Sequence, residues 1–319
     1  MIKTDEIGTP VSGKTISSLS KRLAHSLQHN WKSVVVFIPY FWLLLFFLAP
    51  FLIVLKISLA EATIASPPFL PMIEWVDEGI IQVKLVFDNF TYLWEDDLYL
   101  NTYLNSIKIS SISTVFCLLI GYPMAYAIVS ASSSYKNILL MLIILPFWTS
   151  FLLRVYAWMG LLADQGTINN LLIFLGIIDE PMRLLYTPFA VYVGIVYTYL
   201  PFMILPLYAN MEKLDITLRE AAADLGAKPA TTFLTVTLPL TIPGIIAGSL
   251  LVFIPATGEF VIPSLLGGGN VLMIGHLLYS EFAANVDWPV ASAVAIVLVI
   301  LLVLPMMLYQ HTQAKQVAG

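Results

Sequence analysis

The sequence predicts an all-α integral membrane protein of six transmembrane helices, and three observations carry that reading. Apolar residues fill 59% of the 319 positions and charged residues only 11%, with a mean hydropathy of +0.87, against roughly 45–50% and 25% in a soluble domain. Uncharged runs recur at lengths that reach the ~20 residues a bilayer crossing needs. Ten of the fifteen Lys and Arg fall on one side of the spans so defined.

The first run, 34–55, follows a polar tail at 1–33. It starts too late and runs too long for the apolar part of a cleaved leader, so it is expected to remain as a helix. Within the tail, Leu19, Leu23, Leu27 and Trp31 recur every four residues among Lys21, Arg22 and Lys32. That spacing suits an amphipathic helix on the inner leaflet, with a disordered tail as the alternative. The second and third runs are 109–129 and 137–163, the latter interrupted only by Arg154. The fourth, fifth and sixth are 187–211, 229–258 and 288–310. Residues 265–280 are too rich in Gly and too weakly apolar to count as a seventh, and suit a re-entrant or surface segment.

Lys and Arg concentrate on the cytoplasmic side of membrane proteins. Here that side carries Lys21, Arg22, Lys136, Lys213, Arg219 and Lys228 among others, while the opposite loops clearly hold only Lys84 and Arg183. Both termini, including a short tail at 311–319, and the loop at 212–239 therefore belong in the cytoplasm. The outer loops are acidic, with Glu61, Asp96, Asp97, Asp164 and Asp287 among their residues. Such a surface favours cations over anions, although outer loops poor in Lys and Arg give the same picture without any substrate. The net charge of −5 offers no basic patch for nucleic acid.

Several motifs are excluded by context. Gly8 to Thr15 matches the phosphate-loop pattern G-x-x-x-x-G-K-T letter for letter, but that loop needs a buried strand before it and an α/β domain around it. Only seven residues precede this one. The four histidines show no metal-ligand spacing and no nucleophile motif is present, so neither a catalytic set nor a metal site is expected. Cys117, alone in an apolar run, is expected to pack in the core.

The loop at 212–239 is the most specific segment. Thr217 and Glu220 have capping-box spacing, Gly226 is placed to end the helix as its C′ residue, and Pro229 to open the next one. Ala221, Ala222 and Ala223 lack bulk and permit close approach by another surface. The pattern Glu220-Ala221-Ala222, Gly226, Val236, Leu238-Pro239 resembles the coupling loop of permease subunits of ATP-binding-cassette importers. Pro146-Phe147-Trp148-Thr149-Ser150, Leu200-Pro201-Phe202-Met203, Glu259 to Pro263 and Asp287-Trp288-Pro289 look like the polyamine (putrescine/spermidine) members.

The resemblance implies the type I ABC importer permease (MetI-like) fold, with a permease domain over 34–310 and a cytoplasmic coupling helix. It implies import across a bacterial inner membrane by alternating access. The implied partners are a second permease subunit, two cytoplasmic ATPase subunits and a periplasmic substrate-binding protein. ATP would be used on the partner ATPase, with no cofactor on this chain, which is then a transport component and not an enzyme. Coupling falls to Glu220, Ala221, Ala222, Gly226, Leu238 and Pro239. The same machine for thiamine or an inorganic ion is the nearest alternative, and an ion-coupled secondary transporter a more distant one.

Charges in apolar runs mark cavities or partners because they are costly at membrane depth. At ~1.5 Å per residue, Arg154 lies about 25 Å and Glu259 about 28 Å from the inner face. That permits an ion pair or separate snorkelling, and equally leaves Glu259 as a carboxylate for a passing ammonium. Trp148, Tyr197 and Tyr199 near mid-span, with Tyr156 and Trp158 further out, are candidates for cation–π contact with a polyamine, or simply for packing. The prolines within the runs are candidate kinks. Gly244 and Gly248 form a G-x-x-x-G step for close helix packing, with the subunit interface one place for it.

Overall fold

The computed structural model describes residues 35–77, 80–215 and 217–318, so the expected tail helix at 1–33 lies outside them. Two units result, the first ending at Lys56 and the second running from Ile57. The first unit contains most of α1, Val35–Ser58. A π turn at Leu44–Leu48 interrupts it, with the Ala49 N–H bonded to the Leu44 carbonyl. Pro50 follows at once. Proline cannot donate to the fourth carbonyl back and its ring crowds that carbonyl, and widening the helix by one residue relieves both.

The second unit opens with an antiparallel hairpin, β1 (Ile73–Asp77) and β2 (Ile80–Val83). It continues with α2 (Asp88–Glu95) and α3 (Asp97–Ser130), the latter started by the Asp96 side chain accepting the Leu98 N–H. Then come α4 (Ser133–Ile144), α5 (Phe151–Leu162), α6 (Thr167–Phe174) and α7 (Pro188–Met211). After these lie α8 (Thr217–Asp224) and α9 (Pro229–Thr257). Short helices α10 (Val261–Leu266) and α11 (Ile274–Tyr279) precede α12 (Trp288–Ala318).

By length and composition, α1, α3, α7 and α9 each suffice to cross a membrane, and the apolar part of α12, Trp288–Leu304, is shorter. The third expected span is not one rod. Its halves, Ser133–Trp148 and Phe151–Phe174, meet at 91°. Pro146 begins the break inside a 3-10 turn, Leu145–Trp148, and Thr149 and Ser150 are extended. The Pro146 carbonyl is held by the Thr149 N–H at 3.2 Å, the Thr149 hydroxyl at 2.7 Å and the Arg154 guanidinium. The other candidate kinks behave differently: Pro123, Pro201, Pro206, Pro243 and Pro255 all sit inside continuous helices.

The core lies where α3, α7 and α9 meet. Membrane helices gain little by leaving lipid, so close packing of small residues has to hold them. The α3 face supplies Ser106, Ser110, Ser113, Cys117, Gly121 and Ala125, all buried. Ser106, Ser110 and Thr114 satisfy their hydroxyls on carbonyls one turn back at 2.6–2.9 Å. Cys117 is fully buried, as its setting predicts. Gly248 meets Met203 and Gly244 meets Asn210 of α7, so the G-x-x-x-G step packs within this chain and not at a subunit interface. Residues 265–280 form neither a seventh long helix nor a surface segment. They fold into α10, a loop and α11, with Leu266, Met273 and Ile274 fully buried. Ser106 Oγ accepts the Ile274 N–H at 2.7 Å, and the Asn105 amide donates to Leu272 O at 2.7 Å.

Candidate functional site

The α8 loop is built as a projecting block. Asp215 Oδ1 accepts the Thr217 N–H at 3.0 Å, which holds the Asp215 carboxyl below its ordinary pKa. Thr217 already lies inside the helix, so this contact starts the turn in place of the expected Thr217–Glu220 box. Its end follows the Schellman pattern. The Ala227 N–H reaches Ala222 O at 3.0 Å, the Gly226 N–H reaches Ala223 O at 2.8 Å, and Gly226 takes φ +80°. Pro229 is the first residue of α9.

Glu220, Ala221 and Gly226 are exposed, Ala222 is half-buried, and Leu225 is 89% exposed. Leu238 and Pro239 lie further along α9. A π turn at Phe233–Thr237, with the Leu238 N–H on Phe233 O, comes directly before Pro239. It repeats the arrangement seen before Pro50.

Two links tie the helix ends next to the α8 loop. Lys136 at the start of α4 pairs with Glu212 at the end of α7 at 2.9 Å. Arg219 of α8 donates to the Tyr126 hydroxyl of α3 at 2.8 Å and lies 5.4 Å from the centre of its ring.

The expected pathway residues do not form one group. Glu259 and Tyr199 come together: Glu259 is buried, its Oε2 accepts the Tyr199 hydroxyl at 2.6 Å, and its Oε1 accepts the N–H groups of Phe260, Val261 and Ile262 at 3.0–3.4 Å. Its carboxylate is thus the cap of α10. Arg154 takes other partners, the Pro146 carbonyl and the Phe147 ring at 5.3 Å, so the pair considered from the sequence does not form. Trp158 and Tyr197 meet edge to face at 5.4 Å and line an apolar cleft of about 710 Å³ with Phe116 and Tyr192. Trp148 stands apart at 80% exposure, and Tyr156 is also exposed.

Sequence reading missed a second buried Tyr–Glu pair. Glu281 accepts the Tyr99 hydroxyl and the Asn285 amide, both at 2.8 Å, at the other end of α3. Its only signal in the sequence was an acidic residue beside an apolar stretch.

Residues 117–317 match the family model described as "Binding-protein-dependent transport system inner membrane component". The chain is 42% identical to the spermidine/putrescine transport system permease protein PotB of Haemophilus influenzae over 89% of its own length and 94% of that protein's. Against PotB of Escherichia coli K12 the identity is 41%, over 84% and 92%. Among solved structures, a bacterial ABC transporter involved in the import of the acidic polysaccharide alginate superposes with a TM-score of 0.67 at 18% identity, covering 92% of this chain and 99% of that one. That likeness speaks to the fold alone.

Proposed function

The chain belongs to the family of binding-protein-dependent transport system inner membrane components, and on that premise we propose that it is a permease subunit of an ATP-driven importer of polyamines. The single observation that carries the cargo is its 42% identity, over nearly its whole length, to a permease named for spermidine and putrescine. The chain is a transport component and not an enzyme.

In this reading six crossings are made by α1, α3, the bent α4–α5 pair, α7, α9 and α12, with both termini in the cytoplasm. A second permease subunit completes the pathway, two ATPase subunits bind and hydrolyse ATP, and a periplasmic binding protein delivers the substrate. No cofactor sits on this chain. The α8 block, with Glu220, Ala221 and Ala222 on it, docks on the ATPase, Gly226 shapes its connection to α9, and Leu238 and Pro239 set the course of α9 beyond it. Nucleotide-driven closure of the ATPase pair moves α8 and switches the cavity between its inward and outward states. Acidic outer loops raise the local concentration of a cationic substrate. The aromatic cleft at Trp158 and Tyr197 offers ring faces to an ammonium and an apolar wall to a methylene stem.

The test is uptake into proteoliposomes that hold the assembled complex, supplied with its binding protein and ATP. Labelled spermidine or putrescine is expected inside. Accumulation of thiamine or an inorganic ion in place of polyamine would overturn the assignment.

A further inference from the structure

Among the described residues, Arg219 makes the one hydrogen bond from an α8 side chain to a membrane-spanning helix, at 2.8 Å to the Tyr126 hydroxyl. α8 also packs against the first two turns of α9, to which the chain joins it anyway. Arg219 also stacks on the Tyr126 ring at 5.4 Å. Guanidinium over tyrosine, with a hydrogen bond to the same side chain, fixes both distance and tilt.

The surroundings of this pair are open. Arg219, Tyr126 and Thr237 line two separate cavities, of about 400 and about 500 Å³. The gap between α8 and the inner end of α3 is therefore mostly space, and the Arg219–Tyr126 pair crosses it. A force applied to α8 reaches α3 directly through that crossing, or indirectly by way of α7 and α9, the helices to which the chain joins it on either side.

What Tyr126 joins extends the path. One turn up the same face of α3, the Tyr122 hydroxyl meets Thr241 Oγ1 of α9 at 3.0 Å, and Thr241 donates onward to the Leu238 carbonyl at 2.9 Å. The Tyr122 ring stands edge-on to Phe233 at 5.7 Å. The two tyrosines thus tie α3 both to the loop helix and to α9.

We infer that Arg219 is a positioning residue for transport, a strut that carries displacement of α8 into α3 by way of Tyr126. The inference rests on the reading of α8 as the ATPase-docking element.

The experiment uses the complete transporter in proteoliposomes, with R219A, R219K, Y126F and E220K in parallel, and a cysteine at position 222 for cross-linking to the ATPase. The readouts are ATP hydrolysed, polyamine moved, and their ratio. The expected result for R219A is retained assembly and retained cross-linking, with transport per ATP down at least tenfold. Y126F, which keeps the ring and loses the hydroxyl, falls about threefold, and R219K lies between. If R219A and Y126F keep the wild-type ratio while E220K loses it, α8 docks as proposed and the strut is wrong. Proportional loss of hydrolysis and transport, with an unchanged ratio, assigns the pair a merely structural role and also overturns the strut. If position 222 does not cross-link and E220K transports normally, the docking reading itself fails, and the strut with it.

Discussion

Glu259 and Tyr199 share a hydrogen bond of 2.6 Å, and the other oxygen of that carboxylate gathers the three backbone N–H groups that open α10. An acid placed in an apolar run by sequence is here consumed by structure. Its lone pairs go to holding α7 and α10 together, not to a free ligand.

Glu259→Ala is therefore expected to act first on folding. It strands one hydroxyl and the start of a helix, and each buried group left unpaired costs about 1–3 kcal/mol. Tyr199→Phe removes both the donor and one demand on the carboxylate, and costs about 1 kcal/mol. Thermal unfolding of the detergent-solubilised protein measures both. A Glu259→Ala protein that unfolds like wild type but has lost polyamine uptake would return the carboxylate to the transport pathway.

Gly226 separates backbone strain from packing. It sits at φ +80°, and a Cβ built there meets nothing within 4 Å, so Gly226→Ala costs only the left-handed conformation, about 1–2 kcal/mol. Gly226→Asn should cost less, because asparagine visits that region more readily. The measure is transport per ATP together with protease sensitivity of the 212–239 loop. Alanine and asparagine behaving alike would contradict the assignment.

Gly275 is the opposite case. A Cβ at that position falls 2.1 Å from the Gly258 carbonyl oxygen, a backbone atom that cannot swing aside. Gly275→Ala is expected to displace α11 from the end of α9 and lower the yield of folded protein sharply. Gly248→Ala is milder, since the nearest atom is the flexible Met203 sulfur at 2.8 Å. Comparing the two by size-exclusion profile and melting temperature checks the order.

Orientation is open to a direct test. Alkaline phosphatase fused near Asp97 is expected to be active, and fused near Lys213 inactive. The reverse pattern would invert the inside and outside assigned from Lys and Arg.

The sequence spoke most clearly where one residue type has one physical use. Gly226 and Pro229 marked the end of one helix and the start of the next because left-handed backbone and a missing N–H each suit few positions. Long runs such as 187–211 were legible from composition alone. What composition hid was the 91° elbow after Pro146, because Phe147 to Leu153 are as uncharged on either side of a break as within a rod. Arg154 and Glu259 were visible as costly charges, but depth along two helices does not reveal rotation about them. Their partners became clear only when the faces were known.

The bulge at Phe233–Thr237 sets the angular phase of everything before it. One additional residue in a helix turns the chain by about 100°, so the direction in which Glu220 and Leu225 point depends on that single surplus position. Pro239 follows the surplus directly, and Thr237 within it lines the same cavities as Tyr126 of α3. Deleting one residue there is expected to leave the helix continuous yet swing Glu220 and Leu225 by about 100° round its axis.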